Sequence, residues 1–228
     1  MPETGLPQHI QLSIVLLSAL LLCRIPVLGK ILKVLNTWIH ESAHALASLF
    51  TSGEVESIDL FHSGEGLATT RSGHWLGKVM VSLAGYTGAS AFAFLSYWLI
   101  AQQREQWILY AYLVLGMVTL IFWVRNTYGV IWVMGLLASV ALLMYVKQPM
   151  VTTYFVWFCS SVILIESMYS AAVILYISLT NPKKSGDAKN LQQFTYIPAL
   201  FWGLFFFAQA LIFSYLSLRQ FLPLPFVF

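Results

Sequence analysis

The stretch Asn36-Thr37-Trp38-Ile39-His40-Glu41-Ser42-Ala43-His44-Ala45-Leu46-Ala47 decides how the rest of the chain is read. At its centre is His40-Glu41-x-x-His44. Residues four apart on a helix lie one turn apart on the same face, so both imidazoles can reach a single metal ion. Glu41 sits beside them, a carboxylate able to exchange protons with water at such a site. The flanks support a helix, being uncharged and small or apolar, and after Pro26 the next proline is Pro149. Two unrelated helical histidines would share the spacing. With 5 His and 9 acidic residues in 228, however, the full pattern seldom arises by chance.

Around this stretch the composition is that of a membrane protein. Hydrophobic residues make up 59% of the chain and charged ones 9%, with a mean hydropathy of +0.77. A soluble surface needs about a quarter of its residues charged, so the expected fold is an all-α polytopic membrane protein in a lipid bilayer. The net charge of +3 is spread thinly with no basic block, which argues against nucleic acid as a partner. Cys23 and Cys159 lie in separate apolar runs and suggest buried small side chains, not a disulfide framework. Residues 1–9 contain no Lys or Arg, and Cys23 is followed by Arg24 instead of a small-residue cleavage site. The first apolar run is therefore expected to be retained as a span.

Taken in order, the apolar runs predict six or seven spans, near 10–29, 31–50, 74–101, 107–124, 130–146, 150–179 and 197–218. Together they form a single membrane-embedded unit over 1–228. Arg24 is expected to reach for the interface at the end of the first span. The second span carries the histidines, and Lys33, Asn36, His40, Glu41 and His44 are too polar to face lipid. Their side of the helix must line a wet interior. Residues 53–73 differ: Gly53, Gly64, Gly66 and Gly73 punctuate them, and Glu54–Phe61 alternates as a strand does. This predicts a short membrane-associated β-hairpin whose free edge could hold an extended peptide; an ordinary interfacial loop is the other reading. In the third span, Leu83–Ala91 is rich in small residues and suits close packing, with the histidine helix as the expected neighbour.

A catalytic zinc site usually has three protein ligands and an open position. Outside the motif the available groups are Asp187, Glu166, His62, His74, Asp59 and Glu65. Glu166 lies mid-span and fits either a glutamate ligand or a neutral or hydrogen-bonded intramembrane carboxyl. His62 and His74 fall in or beside the glycine-rich loop, where solvated histidines are ordinary. Asp187 is the favoured third ligand. It is the only acid after Glu166 and sits where a polar stretch, Thr180 to Gln193, re-enters a helix; the competing role there is helix capping. Asn36, one turn before His40, could bond a ligand or substrate, or make a polar contact between helices.

In this order of elements the chain resembles the site-2 protease family of intramembrane zinc metalloproteases, especially its small bacterial branch. The resemblance rests on His40-Glu41-Ser42-Ala43-His44 in an early span, the hairpin over 53–73, Gly85-Tyr86-Thr87-Gly88 in the third span and a late Asp187. It implies that Zn²⁺ is held by His40, His44 and Asp187, with Glu41 as general base. It also implies a membrane protein substrate, bound as an extended segment along the hairpin and cut in a bacterial inner membrane. The sequence departs from the family's late motif. Asn181-Pro182 lies close to Asp187, and Ala188 stands where a glycine is usual. Two other classes fit parts of the pattern: a non-catalytic scaffold binding transmembrane helices, and a metal transporter. A prenyl-peptide type of membrane zincin would require a glutamate ligand such as Glu166.

Overall fold

The computed structural model describes residues 5–221, so the outermost residues of the expected unit, 1–4 and 222–228, lie outside the described part. Among the described residues there are eight α-helices and one hairpin. In chain order these are α1 (Gln8–Cys23), α2 (Pro26–Phe50), β1 (Glu54–Leu60), β2 (Gly66–Arg71), α3 (Trp75–Ala101), α4 (Glu105–Phe122), α5 (Thr127–Val146), α6 (Pro149–Thr180), α7 (Gly186–Thr195) and α8 (Ala199–Arg219). The all-α membrane architecture with a small hairpin is therefore present.

Five helices, α3, α4, α5, α6 and α8, are long and apolar enough to cross a bilayer alone. Helices α1 and α2 pass that test only as a pair bent by 114°, which brings the span count to at most six and not the seven ranges drawn from the sequence. Pro26 explains the break. With no N–H and a fixed φ it suits the first position of a new helix, and Ile25 before it is extended. The first helix thus stops at Cys23, not near residue 29.

At this break Arg24 turns inward instead of only seeking the interface. Its Nη2 lies 3.4 Å from Oε1 of Glu166, a 2%-exposed residue of α6, and its guanidinium covers the Tyr169 ring at 4.5 Å. The pair ties the α1 end to the middle of α6. Cys23 and Cys159 are both free and buried, as the apolar runs suggest.

The polar stretch after residue 180 is more ordered than a loop. A short 3-10 turn, Pro182–Lys184, leads into α7. Ala188 and Leu191 sit on one face of α7 and are fully buried with Val79, Ile174 and Phe206. Gly186 opens the helix at φ +47, a conformation that a side chain would disfavour. This anchoring fixes which way Asp187, in the first turn, can face.

Candidate metal centre

Helix α2 supplies most of the site. Its polar residues fall in two adjacent rows, Asn36-His40-His44 and Thr37-Glu41, each stepping by four. The second row meets the hairpin. Thr37 Oγ1 donates to Gly64 O at 2.8 Å, and a Cβ on Gly66 would lie 2.6 Å from Thr37 Cγ2 and 2.9 Å from Glu41 Cγ. Glycine at 66 therefore lets β2 lie directly on α2.

The first row meets α3 and α7. His40 Nε2 and His44 Nε2 are 3.0 Å apart, and Asp187 Oδ2 lies 3.4 Å from the former and 3.3 Å from the latter. These three residues form a group that could hold a metal ion, with their ligand atoms all within 4.8 Å of one another. Burial on its own would push the Asp187 carboxyl up, but the charge of His44 and hydrogen bonds from both imidazoles hold it below the usual carboxylate range. His44 Nδ1 donates to Val81 O at 2.6 Å, which makes Nε2 the ring nitrogen turned toward Asp187 and His40.

Space for an ion is built into α3. A Cβ placed on Gly85 would fall 2.5 Å from both His40 Nε2 and His44 Nε2. The missing side chain thus leaves a cradle between the imidazoles. Two nitrogens and one carboxylate oxygen match zinc's donor preferences and leave one position open. Tyr86, the next residue, sets its ring edge-on to His40 at 4.7 Å between centroids and packs against Phe206 on its other side.

Glu41 is buried beside this group, and its Oε2 accepts from Ala68 N at 2.8 Å. That bond reveals which way the hairpin faces. Ile58, paired with Ala68, directs its own N–H to Trp123 O and accepts from Arg125 N, both away from β2. In an antiparallel ladder Ala68 must then also point outward, away from β1. The outer edge of β2 borders a cavity of about 740 Å³ that also contains His40, Glu41, His44, Tyr86 and Asp187 in its walls.

The other residues singled out from the sequence lie elsewhere. Glu166 is occupied by Arg24. His74 caps α3, its Nδ1 accepting from Gly77 N at 3.1 Å. His62 lies near Tyr128, Asp59 accepts from Ser57 Oγ, and Glu65 accepts from Ser63 Oγ at the exposed turn. Asp187 is in the first turn of α7 but Ser185 is the capping position, so the carboxylate is free to face the imidazoles.

With this geometry in view, the comparison with known families is decisive: a family model described as Peptidase M50B-like matches residues 13–217. The chain belongs to the site-2 protease family. Comparisons with curated proteins and with solved structures found no match. At family level this peptidase is an intramembrane metalloprotease, and M50 peptidases are typically zinc-dependent. Its long apolar helices make it an integral membrane protein.

The motif reading overlooked several contributors to the site. Val81 O and Ala68 N are main-chain atoms and leave no signature in residue identity. Gly85 and Tyr86 belong to the small-residue segment of the third span that also carries the family resemblance, but only the packing of α3 on α2 sets the glycine opposite the two histidines.

Proposed function

We propose that this M50 peptidase is a zinc endopeptidase that cuts membrane-embedded or membrane-tethered proteins. In this reading His40, His44 and Asp187 hold the metal and Glu41 is the general base. One observation carries it: two imidazole nitrogens and a carboxylate oxygen converge within 4.8 Å beside a buried glutamate. When bound, zinc supplies Lewis acidity toward water and toward a scissile carbonyl.

The chain's own groups do the rest. The Ala68 N–H fixes Glu41 through Oε2, and the carboxylate takes a proton from the attacking water and returns it to the leaving nitrogen. A helical substrate hides its carbonyls in its own hydrogen bonds and must unwind locally before it can be cut. The outer edge of β2 offers main-chain groups to replace those bonds, favouring an extended substrate segment beside the site. A bacterial inner membrane is the setting implied by the resemblance to the small bacterial branch.

Glu41→Gln tests the reading. It should retain one equivalent of zinc yet lose cleavage of a tethered substrate by at least about 100-fold. Equal cleavage by the wild type and the variant would overturn the peptidase assignment. Metal accumulation in vesicles that survives the same substitution would instead favour transport.

A further inference from the structure

Lys33 extends the second row of α2 by one turn, giving Lys33-Thr37-Glu41. It is half-buried and lines the cavity that holds His40, Glu41, His44 and Asp187. A charge in a helix of an apolar membrane bundle is costly unless it meets water or a partner, and such groups mark substrate pathways. Among the described residues the ion pairs are Arg24–Glu166, Arg71–Glu56 and Asp187 with the two imidazoles. Lys33 enters none of them. Glu65, also on the cavity wall, is engaged by Ser63 Oγ at the exposed turn.

The contacts of this row set a register. Lys33 lies against the hairpin turn, its Cδ 3.0 Å from where a Cβ on Gly64 would stand. Thr37 meets Gly64 and Gly66, and Glu41 meets Gly66 and Ala68. Helix and strand therefore run in step, from Lys33 at the turn to Glu41 at Ala68. Eight residues of helix rise about 12 Å, which an extended chain covers in about three or four residues. A peptide added to the outer edge of β2 with its scissile bond at Glu41 would bring that residue alongside the Lys33 ammonium.

We propose that Lys33 is a specificity-determining residue that selects substrates with an aspartate or glutamate about three or four residues from the scissile bond, on the side of the hairpin turn. The inference rests on the peptidase reading above and deepens it, because it names a side chain that the substrate must carry. Side chains alternate along an extended segment, so a single position answers to Lys33.

The test is a charge scan of the substrate. Synthetic transmembrane peptides carry Glu or Gln in turn at each of about five positions on either side of the cut, with both ends blocked. The wild type should prefer Glu over Gln about tenfold in kcat/KM at one position, three or four residues from the bond. Lys33→Gln should keep one equivalent of zinc while that ratio falls to near one. Lys33→Glu should reverse the preference, favouring a peptide with Lys at the same position.

A wild type indifferent to charge at every position overturns the proposal, as does a preference that survives Lys33→Gln. A loss in Lys33→Gln that is equal for all peptides and confined to vesicles containing anionic lipid also overturns it, assigning the ammonium to a headgroup. If neither variant folds, the wild-type scan decides alone: a flat scan refutes, and one responsive position at the stated spacing supports. Failure of the underlying reading is distinguishable, since Glu41→Gln would then cleave normally. An inactive Glu41→Gln with a flat wild-type scan removes only the Lys33 assignment.

Discussion

Gly85→Ala should empty the metal centre while leaving the helices folded. The new Cβ would stand 2.5 Å from His40 Nε2, His40 Cε1 and His44 Nε2 together, about 0.9 Å short of an ordinary contact at 3.4 Å. Either α3 withdraws from α2 or the imidazoles swing aside. Metal sites tolerate ligand displacements of only about 0.2 Å, so a shift several times larger should weaken zinc binding on the order of 100-fold. Metal per protein after purification, read by mass spectrometry, and cleavage of a tethered substrate measure the effect. Two glycines serve as controls. Gly88→Ala would meet Ala43 Cβ at 2.5 Å but no imidazole, and Gly135→Ala would meet nothing within 4 Å. The latter should be neutral or stabilise its helix by up to about 1 kcal/mol. A Gly85→Ala protein that keeps full zinc and cleaves like the wild type would refute the reasoning. Losses matched by Gly88→Ala would attribute the defect to helix packing alone.

The two late carboxylates separate cleanly in the same metal assay. Asp187→Asn should lose most of its zinc, whereas Glu166→Gln should keep it, and the reverse result would move the third ligand to α6. For the fold, Arg24→Met leaves Glu166 buried without its partner and should cost about 2 kcal/mol, less than in a fully buried pair because Arg24 is 43% exposed. Adding Glu166→Gln should recover much of that loss in thermal unfolding; a single variant as stable as the wild type would show that the pair contributes nothing.

The parts of this protein legible in its sequence are those carried by residue identity at short spacing. His40, Glu41 and His44 announce themselves within five residues, and the hairpin showed through its glycines and the alternation of Glu54–Phe61. Asp187 could be reached only by elimination, because the feature that aims it is the burial of Ala188 and Leu191 against distant helices. The same reason hid the Arg24–Glu166 pair: each residue looked isolated in its own apolar run, and only the packing of α1 on α6 joins them. Pro26 is a helix breaker inside the expected first span, but the 114° turn depends on what the two helices then pack against. Main-chain groups such as Val81 O and Ala68 N are chemically the same at every position, so no sequence pattern marks the ones that orient His44 and Glu41.

One feature of the hairpin reaches beyond hydrolysis. The far side of β1 is already closed, with Ile58 bridged to Val124 and Leu60 gripped by Asn126. A two-stranded sheet sealed on one side has a valency of one. In the proposed reading the added strand would be a single one, next to Glu41, because the side held at Ile58 and Leu60 would not link a second copy into a growing ribbon. In a crowded bilayer, where unwound segments of many proteins offer unpaired backbone, that closure keeps a sticky surface from becoming a site of polymerisation.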